Sequence, residues 1–231
     1  MLLALETSTK ACSVALHAQG KVLAQQHLES DQYVHSEKLH IFIREVLDQA
    51  AVKPAELTAV AVGKGPGSYT GLRIGVSAAK GLCYALKIPL VSANGPEILM
   101  QQALYEAKLP ASAQLFIPMI DARRNEVYQA VYNHKGLVEE IKASVVAQDS
   151  FESYAERYQR VHLFGDGADK FTDWFAQDSL VKVHSGIRLN AWDLALVASQ
   201  KLAQGQTEDV AYFEPFYLKD FIALKPKNPF F

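Results

Sequence analysis

The second half of this 231-residue chain repeats the landmarks of the first in the same order. That repetition constrains the fold more than any single motif. Residues 2–5 read as a short apolar strand that stops at Glu6, and residues 115–120 read the same way and stop at Asp121. From acid to turn glycine the distance is 14 residues in the first half (Glu6 to Gly20) and 15 in the second (Asp121 to Gly136). Further on, the run Ala59-Val-Ala-Val-Gly-Lys-Gly65 is echoed by Val161-His-Leu-Phe-Gly-Asp-Gly167, each a short apolar strand entering Gly-x-Gly. Two copies of strand-strand-strand-helix-strand-helix predict an α/β protein of two duplicated lobes, each a mixed sheet with helices. The boundary is placed near Pro110, giving an N-terminal lobe over 1–108 and a smaller C-terminal lobe over 109–231 whose terminal helix could pack back on the first.

Within the first copy, residues 12–17 and 21–28 read as strands joined by a turn at Gln19-Gly20. Leu39, Phe42, Ile43, Val46, Leu47 and Ala50 fall at helical spacing, which predicts an amphipathic helix of roughly four turns. A buried strand over 57–62 then leads into Gly63-Lys-Gly-Pro-Gly-Ser-Tyr-Thr-Gly-Leu-Arg-Ile-Gly75. Five glycines in that stretch hold the backbone close to something: a phosphate, a neighbouring strand or another protein. A helix over 72–86 follows, then a strand over 89–92 and a helix over 96–107; a last helix is predicted over 191–203.

The glycine loop fails the tests for common phosphate binders. No Lys-Ser or Lys-Thr follows its glycines as a Walker A loop requires, and Gly63, Gly65 and Gly67 alternate rather than spelling Gly-x-Gly-x-x-Gly. Ser68 or Thr70 can cap the following helix, whose free N–H groups favour an anion. Gly71, Gly75, Ala79 and Cys83 recur every four residues, a smooth stripe that admits another backbone, while Leu72, Val76, Leu82 and Leu86 make the opposite side apolar too. A helix apolar on all sides needs cover on all sides, which favours a helix-on-helix partner contact over internal core alone.

The acids at the two matching hairpins supply the second candidate. Glu6-Thr-Ser-Thr9 and Asp121-Ala-Arg-Arg124 occupy the places where two-lobed ATP-clamping proteins surround phosphates and Mg²⁺. Against a nucleotide site at Glu6, Thr7, Ser8 and Asp121 stands the simpler reading that the hydroxyls close a strand turn. His35 and His40 lie five apart, about 140° around a helix at ~100° per residue, and do not form a metal pair. No Gly-x-Ser-x-Gly elbow is present. With 49% apolar residues and a formal charge of −2, the chain reads as globular, with no overall electrostatic footprint for nucleic acid. Arg123, Arg124, Lys219, Lys225 and Lys227 read as solvated charges, available to a surface shared with a partner. Cys12 and Cys83 read as buried reduced thiols. No signal peptide and no apolar run near the ~20 residues of a membrane span are seen, so a cytoplasmic protein without membrane contact is expected.

These motifs resemble a known family. Residues 3–16, the stretch Gly65-Pro-Gly-Ser-Tyr-Thr-Gly-Leu-Arg-Ile-Gly75, Asp121-Ala-Arg-Arg-Asn-Glu-Val-Tyr128 and Glu214-Pro-Phe-Tyr-Leu-Lys219 are similar to TsaB (YeaZ) proteins, from residue 1 to about 220. The resemblance implies the actin-like, sugar-kinase and Hsp70 (ASKHA) fold. It also implies a non-catalytic subunit that works with TsaD, TsaE and TsaC in forming threonylcarbamoyladenosine at adenosine 37 of tRNAs reading codons that begin with A. TsaD in that family carries a metal-holding His-x-x-x-His pair on the first long helix; here His35 matches the first position and Leu39 stands at the second. By this resemblance a TsaD heterodimer, or a homodimer when alone, forms through the two long helices of the first lobe. The contact is expected at His35, Leu39, Gly71, Arg73, Gly75 and Ala79. TsaE joins the pair, tRNA is met only through the complex, no catalytic or metal residue is carried, and a nucleotide is expected only at a site shared with partners. An ATP-binding phosphotransferase or ATPase of the sugar-kinase type is the alternative.

Overall fold

The computed structural model describes residues 1–30, 34–105 and 114–219. In chain order the first part contains β1 (Leu2–Glu6), β2 (Ala11–Ala18), β3 (Lys21–Glu29), α1 (His35–Gln49), β4 (Ala59–Gly65), α2 (Tyr69–Leu86), β5 (Leu90–Asn94) and α3 (Gly95–Tyr105). The second contains β6 (Gln114–Asp121), β7 (Glu126–Asn133), β8 (Gly136–Val145), β9 (Arg160–Phe164), β10 (Val181–His184) and α4 (Ala191–Ala203).

The sheets are ordered β3-β2-β1-β4-β5 and β8-β7-β6-β9-β10, the same order in both lobes. In each, the first strand pairs antiparallel with the second and parallel with the fourth. The duplication expected from the sequence is therefore a duplication of topology. β1 and β4 are buried along almost their whole length, as central strands covered on both faces must be, whereas the edge strand β3 alternates exposed and half-buried residues.

Side chains on β1 and β4 alternate between two cores. Leu3, Leu5, Val60 and Val62 pack with α1 and α2, while Leu2, Ala4, Ala59 and Ala61 pack with α3 and α4. The inner core uses alanines on both sides, Ala15, Ala61 and Ala93 from the sheet against Ala191, Ala195 and Ala198 from α4, so helix and sheet close tightly. It also takes in Phe116, Ile120 and Phe164 from the second sheet. α3 and α4 are thus the filling between the lobes, and α4 lies on the first sheet: Ala191 N–H donates to Ser13 Oγ at 3.0 Å.

One expectation fails. No α-helix joins β8 to β9; that connection holds only a three-residue 3-10 turn, Glu152–Tyr154, and another, Asp169–Phe171, comes after β9. The segment after β8 has no apolar stripe at the helical period, and Phe151, Phe171 and Phe175 cover the outer face of the second sheet from turns instead. The boundary near Pro110 and the lysines at 225 and 227 lie outside the described residues. After α4 the chain returns along the first lobe, where Glu208 N–H bonds to Leu90 O at 2.8 Å and Phe216 N–H to Lys64 O at 2.8 Å.

Candidate functional site: the glycine junction and the cleft between the lobes

The glycine junction is filled by the chain's own first turn. A Cβ on Gly63 would come under 3.0 Å from the Glu6 carboxyl, one on Gly67 from Ser8 O, one on Gly71 from Thr7 O and one on Gly75 from Thr7 Oγ1. Hydrogen bonds lock the same contact. Ser68 N–H donates to Ser8 O at 2.6 Å, and Thr7 Oγ1 donates to Gly71 O at 2.8 Å. Ser68 also caps α2, its Oγ accepting from Gly71 N–H at 3.3 Å, a bond of the kind worth ~1 kcal/mol. Of the three neighbours the glycines could approach, the structure supplies an adjoining segment of the same sheet.

This corrects the expected contact surface. Gly71, Gly75 and Ala79 are buried against the first lobe, Leu39 is buried in the core between the first sheet and its helices, and His35 is buried with Nε2 3.1 Å from Ala11 O. Burial lowers the His35 pKa, so its ring is neutral near pH 7. Of the six residues expected at a partner, only Arg73 is exposed. The physical reason is that a small residue lets backbone approach, and the nearest backbone is internal. The outward stripe of α2 is Thr70, Arg73, Ser77, Gly81 and Tyr84, with Tyr84 83% exposed and open space beside Gly81.

The expected phosphate-turn residues divide in the same way. Glu6, Thr7 and Ser8 are buried. Glu6 Oε1 accepts from Ser8 N–H at 2.7 Å and from Ser8 Oγ at 2.5 Å, and Oε2 has no hydrogen-bond partner among the described residues. Burial raises the Glu6 pKa above the usual carboxylate range, against the lowering effect of the Ser8 bonds. Asp121 is instead exposed, accepts from Arg123 N–H at 2.8 Å and pairs with Lys170 at 2.7 Å. Among the described residues no hydrogen bond joins Asp121 to Glu6, Thr7 or Ser8, and the charge that acts on Glu6 from the second lobe is that of Asp166.

Between the lobes a cleft of about 390 Å³ is lined by Thr9, Lys10, Glu29, Asp121, Asp166 and Arg188, among others. Asp166 is the residue sequence reasoning did not single out, although it is the central residue of Gly165-Asp-Gly167. It accepts from Asp121 N–H at 3.3 Å, and desolvation with the neighbouring Asp121 charge pushes its pKa up to about 6. Arg188 reaches both lobes, pairing with Asp169 and lying 3.6 Å from Glu29. Among the described residues no three His, Cys, Asp or Glu side chains gather to hold a metal ion, and no helix is long and apolar enough to cross a membrane.

Paired sheets of one topology, a cleft between them and a self-filled glycine junction define a duplicated, two-lobed α/β protein. The family model described as "TsaD: tRNA N6-adenosine threonylcarbamoyltransferase" matches residues 29–227. Within that class, the Escherichia coli (strain K12) "tRNA threonylcarbamoyladenosine biosynthesis protein TsaB" is 33% identical over 234 residues, covering 97% of this chain and 96% of that protein. The Bacillus subtilis (strain 168) protein of the same name is 32% identical over 167 residues, 71% of this chain and 70% of its own length. The solved structure "YeaZ from Pseudomonas aeruginosa" superposes with a TM-score of 0.74 at 29% identity, covering 94% of this chain and 99% of that one. The chain belongs to the TsaB family.

Proposed function

We propose that this chain is a non-catalytic, cytoplasmic subunit of tRNA threonylcarbamoyladenosine biosynthesis, acting beside a TsaD-type transferase and with TsaE. The observation that carries the non-catalytic part is the locked Glu6-Thr7-Ser8 turn. Its hydroxyls and one carboxylate oxygen are spent on internal bonds, and its backbone occupies the space the glycines leave. A phosphate has no cradle there, which also weighs against the phosphotransferase alternative. Leu39 offers no metal donor at the position where the resemblance places the second transferase ligand, and the neighbouring His35 is held at the Ala11 carbonyl. A nucleotide would then bind only where partners complete the cleft, and the isolated chain would need no cofactor.

The partner surface we assign is the outward stripe of α2, Ser77, Gly81 and Tyr84, with the exposed Ile41 of the neighbouring α1. A transfer assay with the threonylcarbamoyl donor and tRNA tests the reading. The chain alone should give no modified adenosine, and adding the transferase and TsaE should restore it. Modification by the purified chain alone overturns it. Gly81→Leu should abolish co-purification with the transferase while the thermal melt falls no lower than that of the parent.

A further inference from the structure

The chain's overall charge gives no footprint for nucleic acid, yet the fold gathers one locally. The Arg73 guanidinium lies 5.3 Å from the Tyr69 ring centroid, and the Tyr69 and Tyr217 rings stand 4.8 Å apart, inclined at 33°. Tyr217, at the end of this column, is 38% exposed. Two residues on, Lys219 pairs with Glu126 and sits 5.8 Å from the Tyr128 ring on the second lobe. Arg123 is close enough to Tyr128 to act on its phenol. Arg123 and Arg124 are exposed at the β6–β7 turn in left-handed conformations, φ 73° and 50°. That turn is braced from below by Lys170, which donates to Arg124 O at 2.7 Å and Glu126 O at 2.8 Å.

The acids along this line are largely neutralised. Glu126 is paired with Lys219 and Asp121 with Lys170, leaving Glu214 near Tyr217. Arg73, Arg123 and Arg124 form no salt bridge with a described residue. Pairwise contacts thus link Arg73, Tyr69 and Tyr217 on the first lobe, through Lys219, to Tyr128 and Arg123 on the second, with Arg124 beside Arg123 in the chain. An acidic peptide would use the cations and have no need of the stacked rings. Cationic groups interspersed with aromatic rings suit the phosphates and unstacked bases of an RNA loop.

We infer that the line Arg73–Tyr69–Tyr217–Lys219–Tyr128–Arg123/Arg124 is a direct RNA-contact strip, Tyr217 stacking on a base and Arg123 and Arg124 meeting phosphates. This rests on the proposed role in tRNA modification and adds that the chain touches the RNA itself rather than reaching it only through its partners.

The test is a fluorescence-anisotropy titration of the full chain with a fluorescein-labelled RNA stem–loop of anticodon-arm size, over a range of salt. The double variant Arg123→Ala/Arg124→Ala should flatten the log Kd against log salt slope by about 0.7 per phosphate no longer neutralised. Tyr217→Ala should bind about tenfold more weakly with the salt slope unchanged, and Tyr217→Phe should restore the affinity. Circular dichroism melts confirm that each variant is folded. Folded variants that bind the stem–loop like the parent overturn the strip. Unchanged RNA affinity with loss of transferase co-purification makes it a protein contact and also overturns the inference. Pairing of the unaltered chain with the transferase is scored separately: its failure sinks the accessory role and leaves the RNA titration to stand on its own result.

Discussion

The two lobes solve one packing problem at equivalent places and come out chemically different. In the first, the glycines after β4 make room for the Glu6-Thr7-Ser8 turn; in the second, Gly165 and Gly167 after β9 make room for Met119, Ile120 and Asp121. The first junction launches the 18-residue α2, whose Gly71 and Gly75 pack on Thr7 beside the buried Glu6. The second launches only a three-residue 3-10 turn, so Asp121 stays in solvent with Lys170 as its partner. The same glycine device thus leaves one acid entombed and the other accessible. The element launched after the glycines, rather than the glycines themselves, decides whether an acid can meet a ligand.

The largest break in this comparison should come from Gly71→Ala. Helix propensity alone favours Ala by about 1 kcal/mol, but the new Cβ meets the Thr7 carbonyl, and overpacking against backbone should win at the upper end of ~1–3 kcal/mol. Chemical denaturation that shows Gly71→Ala as stable as the parent would mean the turn is not locked. Next comes Glu6→Ala, which leaves the Ser8 N–H and hydroxyl without their acceptor and should cost ~1–3 kcal/mol in the same measurement. Glu6→Gln keeps that acceptor and removes the buried ionisation.

The pH dependence sharpens the contrast further. Asp166 has a folded pKa of about 6 against an ordinary 3.8, so it binds more protons folded than unfolded in that interval. Its contribution is full below the unfolded value and is lost as pH rises through about 6. Glu6, also raised, acts in the same direction above 4.5. The buried histidines oppose this: His162, lowered to about 4 by burial and by His184 at 2.7 Å, favours the folded state increasingly as pH rises to 6.5. The difference in stability between Asp166→Asn and the parent isolates the acid. It should grow in the variant's favour between about pH 4 and 6, and a flat difference refutes the assignment.

Smaller effects mark the outward surfaces. Gly81→Ala meets open space and should stabilise α2 by roughly 0.5–1 kcal/mol, opposite in sign to Gly71→Ala ten residues earlier on the inner face. Asp121→Asn should cost less than about 1 kcal/mol, because the pair it breaks is part-exposed. A large loss there would show that the second acid is as structural as the first.

Much of the architecture was legible in the residues. The acid, turn glycine and Gly-x-Gly landmarks predicted the duplicated topology because strand order follows from short connections and sheet pairing. α4 occupies the 191–203 predicted for it, since Asn190 and Asp193 cap each other in sequence-local bonds. The missing helix between β8 and β9 was illegible by analogy alone: repeated landmarks carry strand positions, not the cover of the sheet between them.

The sequence by itself determined that the five glycines of the 63–75 segment must lie against something, because only the absence of Cβ explains their density. Only the tertiary structure decided against what. An i, i+4 stripe specifies one side of a helix and says nothing about whether that side faces the protein's own backbone or a partner, and here Thr7 and Ser8 arrive from about sixty residues away. The same limit holds for charge. Composition fixes the net value of −2, while the contacts that link Arg73 and Tyr217 to the second lobe exist only once the chain after α4 has folded back over the glycine loop and tied Lys219 to Glu126.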